Sequence, residues 1–251
     1  MQSVIDFILE LDKLKTVTRK TKTLHSDRYE NSAEHSWQIA MLAWSLASYA
    51  PENTDINQVI KLLLVHDIGE IDTGDTIVYA NADWTALKAE ELAAVQRIFG
   101  LLPAGQAAEL LALWHEFEAG ATIEAQFAHA CDRAMPVLLN LANNGQSWRE
   151  NGISYARVVG RIQAPIEAGC PALWQYLATR LDDAQHQHVG RGDQEHAGHR
   201  DREHAPVRTD VAQQPAVARV VGDVQARRHR AEQAVELEPE RFDRRVAEPR
   251  A

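Results

Sequence analysis

From residue 2 to about residue 181 the apolar residues return at steps of three and four rather than two, a period that suits helices and not half-buried strands. Breaks at Pro51, Gly100/Pro103, Gly120, Asn143-Asn144-Gly145 and Gly169/Pro171 divide this stretch. The spacing predicts helices over about 2–15, 33–50, 55–70, 83–100, 104–118, 122–142, 148–165 and 171–181, with Ser32 capping the second and no strand. Links this short favour antiparallel neighbours, so the expected fold class is all-α, a compact multi-helix bundle.

The pattern stops abruptly. All six Trp, all five Tyr and every Lys precede Asp182, whereas 183–251 is drawn from Ala, Arg, Asp, Glu, Gln, His, Val, Gly and Pro with one threonine, Thr209, and Leu237 and Phe242 are its large apolar residues beyond valine. Such a segment cannot bury enough apolar area to offset its ordering entropy, which predicts a folded domain over 1–182 and a disordered tail over 183–251. A shifted reading frame in GC-rich DNA would give the same mixture, so an out-of-frame tail is a second expectation. His186, His188, His196, His199 and His204 invite a metal reading, but their irregular spacing offers no framework to hold the rings together.

The formal charge of −10 argues against a nucleic-acid partner, because phosphate binding there needs a basic, counterion-releasing surface. A small anionic ligand would need a local cationic site, and Lys13, Lys15, Arg19, Lys20, Lys22 and Arg28 gather in one stretch. The two cysteines, Cys131 and Cys170, make no disulfide framework, and no leader or long apolar run points to a membrane; the expected location is the cytoplasm.

Three helices carry polar residues on their apolar sides. His35 shares a stripe with Ile39, Leu42 and Leu46. The pair His66-Asp67 closes the run Leu62-Leu63-Leu64, and Asp132 lies four residues after Ala128 and seven before Leu139. Any one of them alone reads as a satisfied core group. Together, two imidazoles and two carboxylates converging from three helices suit one divalent metal such as Mn²⁺, Fe²⁺, Co²⁺, Ni²⁺, Zn²⁺ or Mg²⁺. Burying the carboxylates is unfavourable without a cation. His115 and Glu116 lack partners at ligand spacing, His129 suits a supporting role, and the dispersed tryptophans read as core rather than as a base-stacking platform.

The order His35, then Val65-His66-Asp67-Ile68-Gly69-Glu70, then Asp132 resembles the H…HD…D signature of the HD-domain metal-dependent phosphohydrolases. Glu30-Asn31-Ser32-Ala33-Glu34-His35-Ser36, Thr73-Gly74-Asp75 and Cys131-Asp132-Arg133 narrow the likeness to the bacterial 5′-deoxynucleotidases and their relatives, over residues 3–181. The resemblance implies His35, His66, Asp67 and Asp132 as metal ligands. It implies Glu70 and Asp75 as catalytic carboxylates, Asp75 also lying at the substrate, and Arg19 as the phosphate contact. Lys20, Lys22 and Arg28 in the same loop remain alternatives for that contact. Glu70 follows His66 by four residues and Asp67 by three, so one continuous helix would overlay all three.

The expected reaction is hydrolysis of a phosphate monoester, a nucleoside or deoxynucleoside 5′-monophosphate by resemblance, with water as nucleophile and a homodimer as assembly. Two rivals stand beside it: a phosphodiesterase or pyrophosphohydrolase acting on another nucleotide, and a non-catalytic nucleotide sensor. The sequence shows no second metal cluster in the folded part, and a sensor would have no need of Glu70 and Asp75 beside the metal.

Overall fold

A computed structural model of the chain describes residues 1–80 and 83–197, with side chains through residue 184. The all-α expectation holds with one addition. Helix α1 (Gln2–Leu11) passes into a 3₁₀ turn at Asp12–Thr16, after which the chain forms a two-stranded antiparallel ribbon, β1 (Thr18–Lys22) and β2 (Tyr29–Asn31). No strand was expected, because Thr18-Arg19-Lys20-Thr21-Lys22 has no apolar alternation. Its inward positions are polar, and ladder bonds together with contacts to α7 and α8 hold it instead.

Asn31, not Ser32, caps α2 (Ser32–Ser45). Its side chain accepts from the Glu34 amide while Glu34 reaches back to the Asn31 amide, closing a capping box. Ser32 is thereby released to point inward. Helix α3 (Ile56–Val65), capped by Asp55, does not run on to residue 70 as the periodicity predicts. Beyond it the bonds tighten to three-residue steps, from Ile68 to Val65, Glu70 to Asp67 and Ile71 to Ile68, and a short α4 (Glu70–Thr73) follows. Gly74, with φ +74°, takes the chain out of α4 through a conformation that suits glycine.

Helices α5 (Trp84–Phe99), α6 (Ala104–Ala119) and α7 (Ile123–Ala142) come close to the predicted spans. The predicted 148–165 helix is two, α8 (Gln146–Glu150) and α9 (Tyr155–Gly169), separated at Asn151-Gly152, where Gly152 has a positive φ. α10 (Pro171–Ala197) runs past the predicted end at Leu181. Leu173, Leu177 and Leu181 anchor it, no proline intervenes before Pro206, and extending a nucleated helix is easier than starting one. The tail was expected to begin at 183; the helix carries the chain to Ala197, and 198–251, with His199 and His204, lies outside the described residues.

Long α7 is the axis of the core. It packs on α9, α3, α2, α10 and α6 and buries Phe127, Ala128, Cys131, Met135 and Leu139. At the end of α9 a Cβ on Gly169 would run into the Gln126 carbonyl and Ala130 Cβ, so glycine alone permits this approach of α9 to α7. At the other margin Arg97 of α5 clamps Asp72 through Nε and Nη2, at 2.6 and 2.7 Å, and Glu10 of α1 at 2.7 Å. Among the described residues no helix is long and apolar enough to cross a membrane.

Candidate metal centre

The local folding explains how the polar groups meet. The Asn31 cap places His35 in the first turn of α2, fully buried, and its Nε2 lies 3.0 Å from Asp132 Oδ1 of α7. At the close of α3 the His66 Nδ1–H donates to the Leu63 carbonyl at 2.9 Å, which turns Nε2 inward, 3.8 Å from the same Asp132 oxygen. Donor atoms of His35, His66 and Asp132 all fall within 4.8 Å of one another, a group that could hold a metal ion. Asp67 enters from the side. Its Oδ1 is 2.9 Å from His66 Nε2, without hydrogen-bond geometry, and its Oδ2 accepts from Arg19 Nη1 at 3.0 Å.

Two observations fit a divalent cation here. His66 Nε2 and His35 Nδ1 are buried without a hydrogen-bond partner, although buried polar atoms are almost always paired. Charge points the same way. Glu30, Asp67, Glu70 and Asp75 crowd one guanidinium, Arg19, which they raise above its ordinary value against its burial, while the guanidinium contact of Asp132 is a long one, with Arg133. Burial opposes a proton on His66, yet Asp67 and Asp132 push it up to about 10. Burial, with Arg19, holds His35 down to about 4. Although burial works against their ionised forms, His66 draws Asp67 down to about 2, and Arg133 with the two histidines keeps Asp132 well below the usual carboxylate range. A centre that draws a proton onto His66 is one that demands positive charge.

Arg19 is the hub of the next layer. From β1 it reaches Glu30 on β2 through Nε at 3.3 Å, and through Nη1 it meets Asp67 at 3.0 Å, Asp75 at 3.5 Å and Glu70 at 3.8 Å. Burial and then Asp67 raise Glu70 well above its ordinary value, and burial raises Asp75. The Ser32 hydroxyl donates to Glu70 Oε2 at 2.5 Å. Every sequence-selected residue thus converges: His35, His66, Asp67 and Asp132 at the centre, Arg19, Glu70 and Asp75 around it. The geometric route to Glu70 differs from the expected one, since the dyad and Glu70 face one site because the helix breaks, not because it continues.

Sequence reasoning missed two residues. Glu30 is 1% exposed, lies 3.7 Å from His35 Nδ1, and is pushed by burial up to about 7 against the pull of Arg19. Ser32 was read as a cap. An acid just before a helix reads as a solvated charge, and only its alternation with Asn31 and Tyr29 on a strand could have turned it inward. The discounted groups behave as expected. Glu116 receives Gln58 and Thr122, His115 is exposed, and His129 bonds the Phe117 carbonyl at 2.8 Å with its ring 4.2 Å from the Phe117 ring. Of the other basic residues, Lys22 is committed to Glu150 and Arg28 to Glu34, while Lys20 stays at the lip of the cleft.

The centre opens into a cleft of about 360 Å³, lined by Arg19, Asp67, Glu70 and Asp75 and, farther along, by Tyr79, Trp84, Trp148, Arg133 and Arg161. That size accepts a small molecule.

The family model described as HD domain matches residues 11–174. The chain belongs to the HD-domain family. A solved structure described as a predicted metal-dependent phosphohydrolase from Magnetospirillum magnetotacticum MS-1 shares this HD fold, with 43% identity and a TM-score of 0.69, covering 74% of this chain and 95% of its own. Human 5′-deoxynucleotidase HDDC2 is 27% identical over 138 residues, 55% of this chain, and Shigella flexneri 5′-deoxynucleotidase YfbR is 32% identical over 105 residues, 39% of this chain. This HD domain spans 66% of the human relative's length and 52% of the Shigella one.

Proposed function

We propose that this HD domain, over residues 1–182, is a metal-dependent phosphomonoesterase acting on a nucleoside or deoxynucleoside 5′-monophosphate. The observation that carries the reading is the convergence of His35, His66, Asp67 and Asp132, with the buried His66 Nε2 facing both carboxylates without a hydrogen-bond partner, and with Arg19, Glu70 and Asp75 lining the same cleft. The two relatives named above as 5′-deoxynucleotidases support the substrate class.

One divalent ion held by His35, His66, Asp67 and Asp132 would neutralise phosphoryl charge and acidify water. The remaining work falls to the chain. Arg19 Nη1 meets Asp67, Glu70 and Asp75 and Nε meets Glu30, while among the described residues Nη2 donates no hydrogen bond. Nη2 is thus the donor free for a non-bridging phosphoryl oxygen. Glu70 Oε2 is fixed by Ser32, which leaves Oε1 to exchange a proton with the attacking water, and burial raises the carboxyl's affinity for that proton. Asp75, mostly buried and lining the cleft, handles the proton of the leaving alkoxide.

The homodimer belongs to the same reading and is supported by α2, where Trp37 and Trp44 are each 63% exposed and, with Met41 between them, form an apolar stripe at helical spacing. A reducing, cytoplasmic setting is consistent with two buried free cysteines. The test is phosphate release by the full chain from a panel of nucleoside and deoxynucleoside 5′-monophosphates with Mn²⁺, Co²⁺, Mg²⁺ or chelator. Metal-dependent release is expected. No release from any of them with metal bound would overturn the reading in favour of a diester or pyrophosphate substrate, or of the sensor.

A further inference from the structure

The same cleft has a second, basic part. Arg133 follows Asp132 on α7, its Nε 3.7 Å from Asp132 Oδ2, and Arg161 comes across from α9 with its guanidinium 5.5 Å from the Trp84 ring centroid. Both line the cleft. Among the described residues no carboxylate lies within 4.0 Å of Arg161, and Arg133 has only the long contact with Asp132, a carboxylate already shared with both imidazoles. The two arginines feel each other: burial, and then the charge of Arg133, hold Arg161 below its ordinary value. In a chain with 36 acidic residues against 26 basic ones, a like-charged pair left without its own counter-ion is an arrangement with a missing partner.

The surroundings say what that partner looks like. Arg161 lies over Trp84 with its guanidinium open to solvent, and Tyr79 and Trp148 line the same cleft, so the pair borders aromatic surfaces. The Arg157 guanidinium, one turn before Arg161, donates to the Tyr79 carbonyl and ties the loop after Asp75 to α9. Arg133 adjoins Asp132 on α7 and lines the same cleft as Arg161. An anion held by the pair would share that cleft with the phosphoryl group proposed to react at the centre.

We infer that Arg133 and Arg161 form a subsite for a second phosphate, so that the preferred substrate is a nucleotide carrying a phosphate group besides the scissile one. This rests on the phosphomonoesterase reading above for which phosphate is cleaved, but not for the binding itself. The second phosphate could be a sugar phosphate, as in a nucleoside 3′,5′-bisphosphate, or the distal group of a 5′-diphosphate; both offer the same oxygens to two guanidiniums.

The experiment is calorimetric binding of adenosine 5′-monophosphate, adenosine 3′,5′-bisphosphate and adenosine 5′-diphosphate to the full chain in Mn²⁺. Glu70→Gln is used as background so that ligands stay intact. At least one doubly phosphorylated ligand is expected to bind roughly tenfold tighter or better than the monophosphate, an advantage lost in Arg161→Gln and largely kept in Arg161→Lys. Which ligand gains tells where the second phosphate sits. Equal affinities for all three, including no detectable binding of any, would overturn the inference, as would an advantage that survives both Arg161→Gln and Arg133→Gln. Phosphate release by the Glu70-intact chain is read in parallel. Preference without release removes the phosphomonoesterase reading and leaves the subsite; release without preference does the reverse.

Discussion

Arg19 and Arg161 line one cleft and have opposite surroundings. Arg19 is mostly buried, with four carboxylates on two of its nitrogens; Arg161 is exposed, stacked near Trp84, with no acid in reach. The first is a strut that holds Glu30, Asp67, Glu70 and Asp75 in register and offers a ligand only its spare edge. The second makes no ion pair among the described residues, and its charge is available to a ligand. The same side chain is thus structural machinery or a recognition group according to the acids around it, which residue type alone does not disclose.

Breaking the acidic part should have the largest effect. Asp132→Ala removes an oxygen facing both imidazoles, and bound metal measured by atomic emission should fall to near background, with phosphate release down by more than about 10²-fold. Metal content unchanged from wild type would take Asp132 out of the ligand set. Glu70→Gln should lower kcat by about 10²- to 10⁴-fold while metal content holds, because it removes a proton carrier and not a ligand. Unchanged turnover would exclude Glu70 from the proton transfer.

Arg19→Met sharpens the contrast. It should cut kcat/KM by about 10²- to 10³-fold, yet metal affinity should hold or rise, since a cation competing for Asp67 is gone. Weakened metal binding would mean that the strut role dominates. Salt separates the two arginines more gently. Raising ionic strength from about 0.05 M to about 0.5 M should erode the preference assigned to exposed Arg161 and leave the penalty of Arg19→Met nearly constant, because buried pairs are screened less.

The smallest effect lies on the cap that sets His35. Arg28 and the Asn31 amide hold the Glu34 carboxyl below the usual carboxylate range. The stability this contributes is fully present above the unfolded pKa of about 4.3 and disappears as pH falls through the lower folded value. Urea titrations of wild type and Glu34→Gln should therefore differ by no more than about 1 kcal/mol at neutral pH and converge in acid.

The metal-facing residues were legible because each lay on an apolar stripe of a regular helix, where an inward polar group stands out. His35 and Asp132 needed only the 3.6 period, and the dyad advertised itself by ending a run of leucines. What stayed hidden lay where that period fails. β1 and β2 carry no apolar alternation, so Glu30 looked like a surface acid and Arg19 like one of several loop cations. The break after Val65 was also invisible, since leucine-rich sequence continues a helical pattern up to it, and the segment that follows packs against α5, where Gly69 lies on Glu91 and Val95. The arginine pair was unreadable for another reason. Arg133 and Arg161 are distant in sequence, and what distinguishes them, a shared cleft and, among the described residues, no ion pair on Arg161, only the folded arrangement reveals.

Gly169 bears on how such a protein could change its diet. Because α9 meets the α7 backbone at Gln126 through that glycine, the helices presenting Arg161 and Asp132 are joined there, and any side chain at 169 would push them apart. The freedom to accept longer or bulkier substrates is left to the connection running from Thr76 to Tyr79, fastened to α9 through Arg157. Descendants of this chain with altered appetites should differ there, while the two helices drift together or not at all.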